Sequence, residues 1–368
     1  MKKILLVSAS DPTDKRTWSG TEYSFFQQLK KYYYVEILTV NYPAARAIDK
    51  IFMRLFTLGK QDTGFGFVNS YVCSKRVYNK LRNHTYDAIF AFGPFHIAYL
   101  NTALPIVYFT DATVHSMQHY YWNFLQPLYW VADVIQRRCL QKSSVAVGAS
   151  SWVVSDMVKY YGLAPQKCKL CQLGANVNVS DAQAIKEHDV INIVFVGAAW
   201  ARKGGDIALD AFRQLKQIDG NHRYHFHVVG GKPEKKVDEE DVTFYGFLNR
   251  NIPEQEKLHS DIFKDGDIFL LPTRAECAGM VFCEASAYGL PIVTYDTGGI
   301  SDYVVNGVNG YRLPIESGGT EFANKMLSII NDSDLRQRLS DGGKRLYKEH
   351  LNWDAAGQKI KEIIDSLL

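Results

Sequence analysis

Short apolar runs rich in β-branched residues recur along this chain and alternate with segments of helical periodicity. Runs such as INIVFVG and DIFLLP are almost wholly apolar, as strands of a parallel sheet covered on both faces must be. The alternation predicts an α/β fold built from doubly wound parallel sheets. The predicted strands are Ile4–Ser8, Val35–Val40, Ala88–Phe92, Ile106–Phe109, Val145–Ala149, Lys169–Leu173, Ile191–Val196, His225–Val229, Val242–Tyr245, Ile268–Pro272, Ile292–Tyr295 and Gly310–Leu313.

The strand series restarts after the polar stretch ANVNVSDAQAIKEHD, and 368 residues exceed one ordinary hydrophobic core. The sequence therefore predicts two Rossmann-like domains, residues 1–178 and 179–350, and a C-terminal helix over residues 351–368. Open sheets of this kind bind ligands beyond the carboxyl ends of their strands. We therefore expect the functional residues in the loops that follow strands.

Composition favours a globular protein of the cytoplasm. Apolar residues make up 46% of the chain, and no apolar run reaches the ~18 residues of a membrane-spanning helix. The apolar part of the start, MKKILLVSAS, is too short for a signal peptide and is predicted to be the first strand. Six cysteines do not make a disulfide scaffold in a chain of this size.

Charge is divided unevenly along the chain. Residues 1–180 hold 20 basic and 10 acidic side chains, whereas residues 181–368 hold 22 basic and 29 acidic ones. The basic half is predicted to face an anionic partner, and the alternative is an ordinary difference between two solvated surfaces.

The loop TRAECAG connects the strand DIFLLP to a short helix, MVFCEASAY, which Gly289 and Pro291 end. Gly279 lies at the N-terminus of that helix, where backbone N–H groups and the helix dipole favour an anion. Glu276 and Glu284 lie near the same end, and a phosphate would repel them. They are therefore predicted to accept hydrogen bonds from hydroxyl groups, such as those of a sugar and a ribose on the two sides of a diphosphate.

Two further loops carry candidate ligand-binding residues. The loop AAWARKGG after INIVFVG places Arg202 and Lys203 before a helix, which fits phosphate neutralisation, and the alternative is a solvated turn. The loop TWSGT places Gly20 between the first strand and a helix, where its backbone can approach a ligand. The alternative for Gly20 is an ordinary helix-capping turn.

Metal and dinucleotide sites are not expected. Cys277 and Cys283 lack histidines at ligand spacing, and the CKLC stretch at Cys168–Cys171 fits a buried core better than zinc. Asp265 and Asp267 form an Asp-Gly-Asp sequence, but they precede a strand, so we predict a strand-capping turn. The chain also lacks the glycine pattern of dehydrogenases and the Walker sequence of P-loop proteins.

With these residues in view, the chain resembles a family 4 retaining glycosyltransferase of the GT-B fold. The resemblance is strongest over Ile191–Asn309, and its most specific part is Glu-x7-Glu within LLPTRAECAGMVFCEASAYGLPIVTYDTGGISDYVVNGVNG. FVGAAWARKGGDIALDAF and SGTEYSFFQQL fit as well. The resemblance implies two facing Rossmann-like domains with a cleft between them, and a C-terminal helix that crosses back to the N-terminal domain.

The resemblance also implies roles for individual residues of the donor site. Glu276 would bind hydroxyls of the donor sugar, and Glu284 the ribose hydroxyls of the nucleotide. Sugar and diphosphate would contact the backbone N–H groups of Gly279, Met280 and Val281.

Lys203 would neutralise the diphosphate, Gly20 would approach it from the other domain, and Phe247–Leu248 would lie beside the base. The family often has an arginine where this chain has Ala198, so Arg202 is expected to supply the second cation.

The residue nearest the reacting carbon is also inferred from the resemblance. The histidine that the family has after the fourth strand is replaced by Asp111, in VYFTDATVHS. Asp111 is therefore the predicted residue, with His115 and His119 as alternatives, and Asp111 could instead cap the next helix.

The implied activity is transfer of a hexose from a nucleotide diphosphate sugar, with UDP favoured, to a hydroxyl of a glycan or lipid-linked glycan. Configuration at C1 would be retained, no metal or other cofactor would be needed, and no nucleic acid is an expected partner. Such chemistry suits bacterial cell-surface polysaccharide synthesis. The alternatives are a nucleotide-sugar binding module without activity and a nucleotide-sugar epimerase of similar shape.

Finally, PAARAIDKIFMRLFTLGK, Pro43–Lys60, is predicted to be a basic amphipathic helix. Arg46, Lys50 and Arg54 recur every four residues and form one stripe. Beside them is an apolar face made of Ala47, Ile48, Ile51, Phe52, Leu55, Phe56 and Leu58. Such a helix can lie in the headgroup region of an anionic membrane, and the alternative is a helix packed on its own sheet.

Overall fold

The computed structural model describes residues 1–61, 66–177 and 189–368. The chain forms two compact units, one made of Met1–Leu173 with Trp353–Leu368 and one made of Gly174–Asn352. The predicted domain boundary between residues 178 and 179 lies outside the described residues.

The first unit contains a parallel sheet with the strand order β2-β1-β3-β4-β5-β6. Its strands are β1 (Lys3–Ser8), β2 (Tyr34–Thr39), β3 (Ala88–Phe92), β4 (Ile106–Thr110), β5 (Val145–Gly148) and β6 (Cys168–Leu170). The order reverses between β1 and β3. The loops that follow these two strands therefore flank the crevice at which an open sheet binds ligands.

The second unit contains a parallel sheet with the strand order β12-β11-β10-β7-β8-β9. Its strands are β7 (Val190–Gly197), β8 (Arg223–Gly230), β9 (Val242–Gly246), β10 (Ile268–Leu271), β11 (Ile292–Tyr295) and β12 (Gly310–Leu313). Here the order reverses between β7 and β10, which makes the loops after them the expected ligand-binding loops.

Helices cover the sheets of both units. In chain order they are α1 (Thr21–Tyr32), α2 (Pro43–Phe56), α3 (Phe67–Asn83), α4 (Val114–Met117), α5 (Gln126–Lys142), α6 (Ser151–Lys159), α7 (Gly205–Ile218), α8 (Pro253–Lys264), α9 (Met280–Tyr288), α10 (Gly319–Ile330), α11 (Ser333–Glu349) and α12 (Trp353–Asp365). In the described residues, no helix is long and apolar enough to cross a bilayer.

The predicted α/β class with two doubly wound sheets is confirmed. Each predicted strand is present with ends within three residues of the predicted ones, and Ala88–Phe92, Ile292–Tyr295 and Gly310–Leu313 match at both ends. The first two of these strands, like β4 and β10, are buried along their whole length. Apolar side chains on both faces of a covered strand give the strong sequence signal that made the prediction accurate.

The helix α12 packs within the first unit although it ends the chain. The ring centroids of Phe25 and Trp353 lie 5.3 Å apart, and the side-chain amide of Gln28 donates a 2.8 Å hydrogen bond to Asp354. Toward the end of α12, the hydroxyl of Tyr33 donates to Asp365 at 2.6 Å. Both apolar contact and polar pairing therefore hold α12 against α1.

The helix α2 ends at Phe56, four residues before the predicted end. Leu58 and Gly59 have φ angles of 52° and 76°, and this left-handed backbone cannot continue a right-handed helix. The apolar face of α2 is exposed, and the alternative of a helix that packs this face on its own sheet is wrong. Asp49 lies on the inward side and accepts hydrogen bonds from two backbone N–H groups at the start of α3, at 3.1 and 2.7 Å.

Candidate active site

The loops after β7 and β10 lie against each other at the strand-order reversal of the second unit. Gly204 has φ 71°, and a Cβ atom at this position would lie 1.8 Å from the carbonyl oxygen of Pro272. The backbone N–H of Arg274 donates to the carbonyl of Arg202 at 2.8 Å. A glycine is therefore required here because the two loops approach at backbone contact distance.

The two predicted cations of the first of these loops contact the second loop. Arg202 donates from Nη1 to the carbonyl of Ala275 at 2.9 Å, and the Nζ of Lys203 forms an ion pair with Glu276. The side chains of Lys203 and Glu276 are only 13% and 11% exposed. The structure thus places a largely buried cation and a buried carboxylate together, where the sequence predicted only that each was near an anion site.

The helix α9 begins directly beyond this pair. Gly279 has φ 77°, and a Cβ there would come within 2.5 Å of the Phe282 ring, so the turn into the helix requires glycine. The carbonyl of Glu276 accepts a 3.1 Å hydrogen bond from the N–H of Gly299, which ties the loop to the one after β11. The first N–H groups of α9, those of Met280 and Val281 among them, have no partners within the helix and give this end a partial positive charge.

Glu284 lies in the second turn of α9, and its partner was not predicted. Arg250 donates from Nη1 to Oε1 of Glu284 at 2.7 Å. Burial disfavours the charged guanidinium, but hydrogen bonds to Glu256 and the charges of both carboxylates outweigh it and raise the pKa of Arg250 above its usual value. The predicted base-contacting residues Phe247 and Leu248 follow β9 in the same loop, and Phe247 is 79% exposed.

In the first unit, Gly20 and Asp111 lie at the carboxyl edge of the sheet. Trp18 and Ser19, which precede Gly20, have φ angles of 44° and 53°, a left-handed conformation that is strained for residues other than glycine. The indole N–H of Trp18 donates to Asp111 at 3.2 Å, while its ring packs edge-on against Phe92 at the end of β3. Trp18 therefore connects the loop of Gly20 with Asp111, a link that the sequence did not reveal.

The two alternative histidines have different surroundings. The Nδ1 atom of His115 lies 2.6 Å from Oδ1 of Asp156, and the imidazole stacks on the ring of Tyr160 with centroids 3.5 Å apart. His119 is exposed in a turn with φ 63°, and its backbone N–H donates to the carbonyl of Trp122 at 2.7 Å. Asp111 contacts the loop of Gly20 through Trp18, and its role stays a prediction.

The Asp-Gly-Asp sequence binds its neighbouring strand. Asp267 accepts a 2.8 Å hydrogen bond from the backbone N–H of Asn192, and the carbonyl of Asp265 accepts one of 2.9 Å from the Asn192 side chain. Cys168 and Cys171 are buried, and burial raises the pKa of both thiols. The part of the chain that the structure describes contains no group of three or more His, Cys, Asp and Glu side chains placed to hold a metal ion.

Comparison with known proteins finds similarity to glycosyltransferases. Residues 191–332, which include the loops after β7 and β10, match the family model for glycosyl transferases group 1. An uncharacterized glycosyltransferase of Methanocaldococcus jannaschii is 29% identical over 47% of this chain and 48% of its own length. The capsular polysaccharide biosynthesis glycosyltransferase CapM of Staphylococcus aureus is 25% identical over 50% and 49%. The chain thus spans about half the length of the curated relatives it matches.

Solved structures extend the likeness to the whole chain. A glycosyltransferase from Rickettsia africae has a TM-score of 0.70 at 13% identity, covering 100% of this chain and 98% of its own. The Anabaena protein HepE in complex with UDP has a TM-score of 0.67 at 17% identity, covering 100% of both chains. The fold is that of GT-B glycosyltransferases.

The ion pair at the meeting of the two loops gives a prediction about stability. Lys203→Met leaves the Glu276 carboxylate buried without its cation, and breaking a buried pair in this way costs roughly 3 kcal/mol. We expect an earlier transition of the second unit in urea, followed by intrinsic fluorescence. Lys203→Met combined with Glu276→Gln should recover part of the loss, because neither charge of the pair then remains.

The matched control is Lys257→Met, which breaks an exposed pair with Asp261 one helical turn away. Solvent screens that pair, so the urea transition should stay nearly unchanged. A Lys203→Met transition equal to that of the control would mean that the Lys203–Glu276 pair is not buried in solution.

Proposed function

We propose that this chain is a retaining glycosyltransferase that moves a hexose from a nucleotide diphosphate sugar to a hydroxyl of a glycan or lipid-linked glycan. The observation that supports it most is the buried Lys203–Glu276 pair at the N-terminus of α9, with Glu284 in the next turn of that helix. A cation, a helix N-terminus and two carboxylates suit a ligand with a diphosphate between two groups rich in hydroxyls.

The proposed donor contacts follow from the charges of these groups. The diphosphate is bound by Lys203, Arg202 and the N–H groups at the start of α9, and Glu276 accepts hydrogen bonds from sugar hydroxyls. Glu284 accepts hydrogen bonds from the ribose, and the exposed ring of Phe247 stacks on the base. We favour uridine because HepE, which has the same fold, was solved with UDP.

In the reaction, the bond between C1 of the sugar and the diphosphate oxygen breaks, and a new bond forms between C1 and the acceptor oxygen on the same face. The leaving phosphate takes the proton of the acceptor hydroxyl. Negative charge grows on the diphosphate as its bond to C1 breaks, so the cations and the helix N-terminus stabilise the transition state more than the bound donor. This electrostatic stabilisation replaces the work of a divalent metal ion in the proposal.

The proposed contributions of the first unit are acceptor binding and contacts from Gly20 and Asp111. Strain in the Trp18–Gly20 segment and the hydrogen bond from Trp18 to Asp111 support a ligand-binding role for this edge, because strained backbone is concentrated at functional sites. The setting would be synthesis of a cell-surface polysaccharide. CapM, one of the relatives, is named for capsular polysaccharide biosynthesis.

Incubation with UDP-sugars and a panel of glycan acceptors tests the activity. We expect release of UDP, growth of the acceptor by one hexose with retained configuration, and full turnover in EDTA because Lys203, Arg202 and the helix N-terminus supply the positive charge. The products can be read by mass spectrometry and NMR. Binding of nucleotide without turnover would favour a binding module, and isomerisation of the sugar without acceptor would favour an epimerase. Strict dependence on a divalent ion would contradict the metal-free mechanism.

The two glutamates should differ when each is replaced by alanine. Glu284→Ala should weaken binding of bare UDP, since loss of a charged hydrogen-bond acceptor costs ~1.5–3 kcal/mol. Glu276→Ala should leave UDP affinity nearly intact while turnover falls by orders of magnitude. Calorimetry with UDP and steady-state assays separate the two effects, and the reverse pattern would mean that their roles are exchanged.

We further propose that the first unit binds an anionic membrane surface through α2. The exposed side chains of α2 and the residues just after it include Ile51, Phe52, Leu55, Phe56 and Leu58, with exposed fractions from 50% to 86%. Arg46, Lys50 and Arg54 lie on the same helix, so the apolar surface is accompanied by positive charge. Contiguous exposed apolar surface of this kind marks an interaction site, and basic residues beside it favour anionic lipid.

Neighbouring exposed side chains enlarge this apolar surface. The side chain of Gln61 hydrogen-bonds the backbone of Asn123 and Leu125 at 2.9 and 2.8 Å, which brings the end of the α2 segment to the start of α5. Leu125 and Trp130 in that region are 38% and 60% exposed. A lipid-linked acceptor at this surface would meet the protein at the unit proposed to bind it.

Co-sedimentation with liposomes containing anionic lipid tests the membrane proposal. Each Lys or Arg near the surface contributes about 1 kcal/mol, so Arg46→Glu/Lys50→Glu/Arg54→Glu should abolish binding, and salt should weaken that of the wild type. Phe52→Ser/Leu55→Ser should weaken binding even at low salt, since it removes apolar area.

The matched charge control is Lys30→Glu/Lys142→Glu/Lys169→Glu, which changes three exposed lysines of the first unit outside α2. It should retain most liposome binding. Wild-type protein that ignores anionic liposomes at low salt, or a control that loses as much binding as the α2 variant, would contradict the role of α2.

A further inference from the structure

Arg250 donates hydrogen bonds to two carboxylates and one backbone carbonyl, which is more than a side chain that only aids solubility requires. It lies in the loop between β9 and α8, and its side chain is 27% exposed. Two of its nitrogens donate to the carboxylate of Glu256, at 2.6 and 2.9 Å, and Nη2 also donates to the carbonyl of Asn176. Its remaining nitrogen, Nη1, donates to Oε1 of Glu284 at 2.7 Å.

These contacts fix the guanidinium from three directions. Glu256 belongs to the first turn of α8, Asn176 lies near the start of the second unit, and Glu284 lies on α9. A planar guanidinium with all its nitrogens engaged cannot rotate without losing several charge-assisted hydrogen bonds. Arg250 is therefore a rigid group in contact with the carboxylate of Glu284.

Glu284 depends on Arg250 for its orientation. Its side chain is 7% exposed, and in the described residues its hydrogen-bond partner is Arg250, which contacts Oε1 alone. With Oε1 occupied by Arg250, Oε2 is the oxygen left to accept hydrogen bonds from a ligand.

We propose that Arg250 is a positioning residue that fixes Glu284 so that Oε2 accepts hydrogen bonds from the ribose diol of a nucleoside diphosphate. This inference rests on the proposed function, and it adds a consequence for specificity. A site that presents one oriented carboxylate oxygen to a diol discriminates against a nucleotide that lacks one of the two hydroxyls. The protein should therefore select ribonucleotides over 2′-deoxyribonucleotides, and Arg250 should be required for that selection.

Calorimetry with UDP and with 2′-deoxy-UDP tests the inference, with GDP and 2′-deoxy-GDP as the second pair of probes. We expect wild-type protein to bind UDP roughly tenfold more tightly than 2′-deoxy-UDP, as loss of a hydrogen bond to a charged group predicts. Arg250→Lys keeps the positive charge but loses the planar fork. It should weaken the binding of UDP about tenfold and the binding of 2′-deoxy-UDP much less. The ratio of the affinity for UDP to that for 2′-deoxy-UDP should therefore come close to one.

The ratio separates positioning from a merely structural role, because a general loosening of the unit would weaken both nucleotides alike. On a Glu284→Gln background, Arg250→Lys should cause little further loss of UDP affinity, since both changes act on the same contact. Arg213→Lys is the matched control: Arg213 also pairs with a carboxylate of the second unit, Glu239, and its replacement should leave both affinities unchanged.

If Arg250→Lys does not fold, Glu256→Gln loosens Arg250 while keeping both Arg250 and Glu284, and it should lower the ratio in part. An Arg250→Lys or Glu256→Gln protein that keeps the wild-type ratio would overturn the inference. A wild-type ratio near one would also overturn it and would leave glycosyl transfer standing. Wild-type protein that binds neither UDP nor GDP would contradict the proposed function itself, and the inference with it.

Discussion

The buried ion pair of Lys203 with Glu276 determines how the loops at the strand-order reversal of the second sheet are arranged. The paired residues are 73 positions apart in sequence. The loops are also joined by the close backbone approach of Gly204 to Pro272 and by the hydrogen bonds that involve Arg202. Replacing a buried ion pair by apolar residues often costs nothing or stabilises, so stability alone gives a weak reason for this one. A ligand that needs a cation and a carboxylate side by side gives a better reason.

The same principle governs the second carboxylate of the site. An unpaired carboxylate buried as deeply as Glu276 or Glu284 would lose its hydration without compensation. Each has instead a cation on a different loop, Lys203 after β7 and Arg250 after β9. In the proposed site, the carboxylates would face hydroxyl groups while the N-terminus of α9 favours the negative charge of a phosphate between them. Charge pairing across loops makes acidic residues compatible with an anionic ligand.

Sequence patterns were sufficient for the fold and for the position of the carboxylates. Strands buried on both faces give continuous apolar runs. The glycine before the short helix α9 marks the N-terminus of that helix, so that Glu276 is expected just before it and Glu284 within it. The partners of these carboxylates were not predictable in the same way. Arg250 lies in FLNRNIPEQE, a polar loop without periodicity, and its contacts depend on where α8 and α9 pack. Trp18 was missed for a similar reason, because the left-handed backbone that directs it to Asp111 leaves no signal at non-glycine residues.

The helix α2 shows the limit of periodicity from another side. The amphipathic helix was predicted correctly, but its pattern does not show which face packs against the protein. In α2 that face is the one that carries the buried Asp49. Asp49 is buried because it caps α3, in line with Ala45 and Met53, and this turns the larger apolar side chains outward. Exposure of so many apolar groups is unfavourable in water. The hydrogen bonds of Asp49 therefore favour an orientation of α2 that burial of its apolar side chains would not. Such disagreement is expected where a surface serves a function. A partner that binds reversibly removes the apolar area from water only while it is bound.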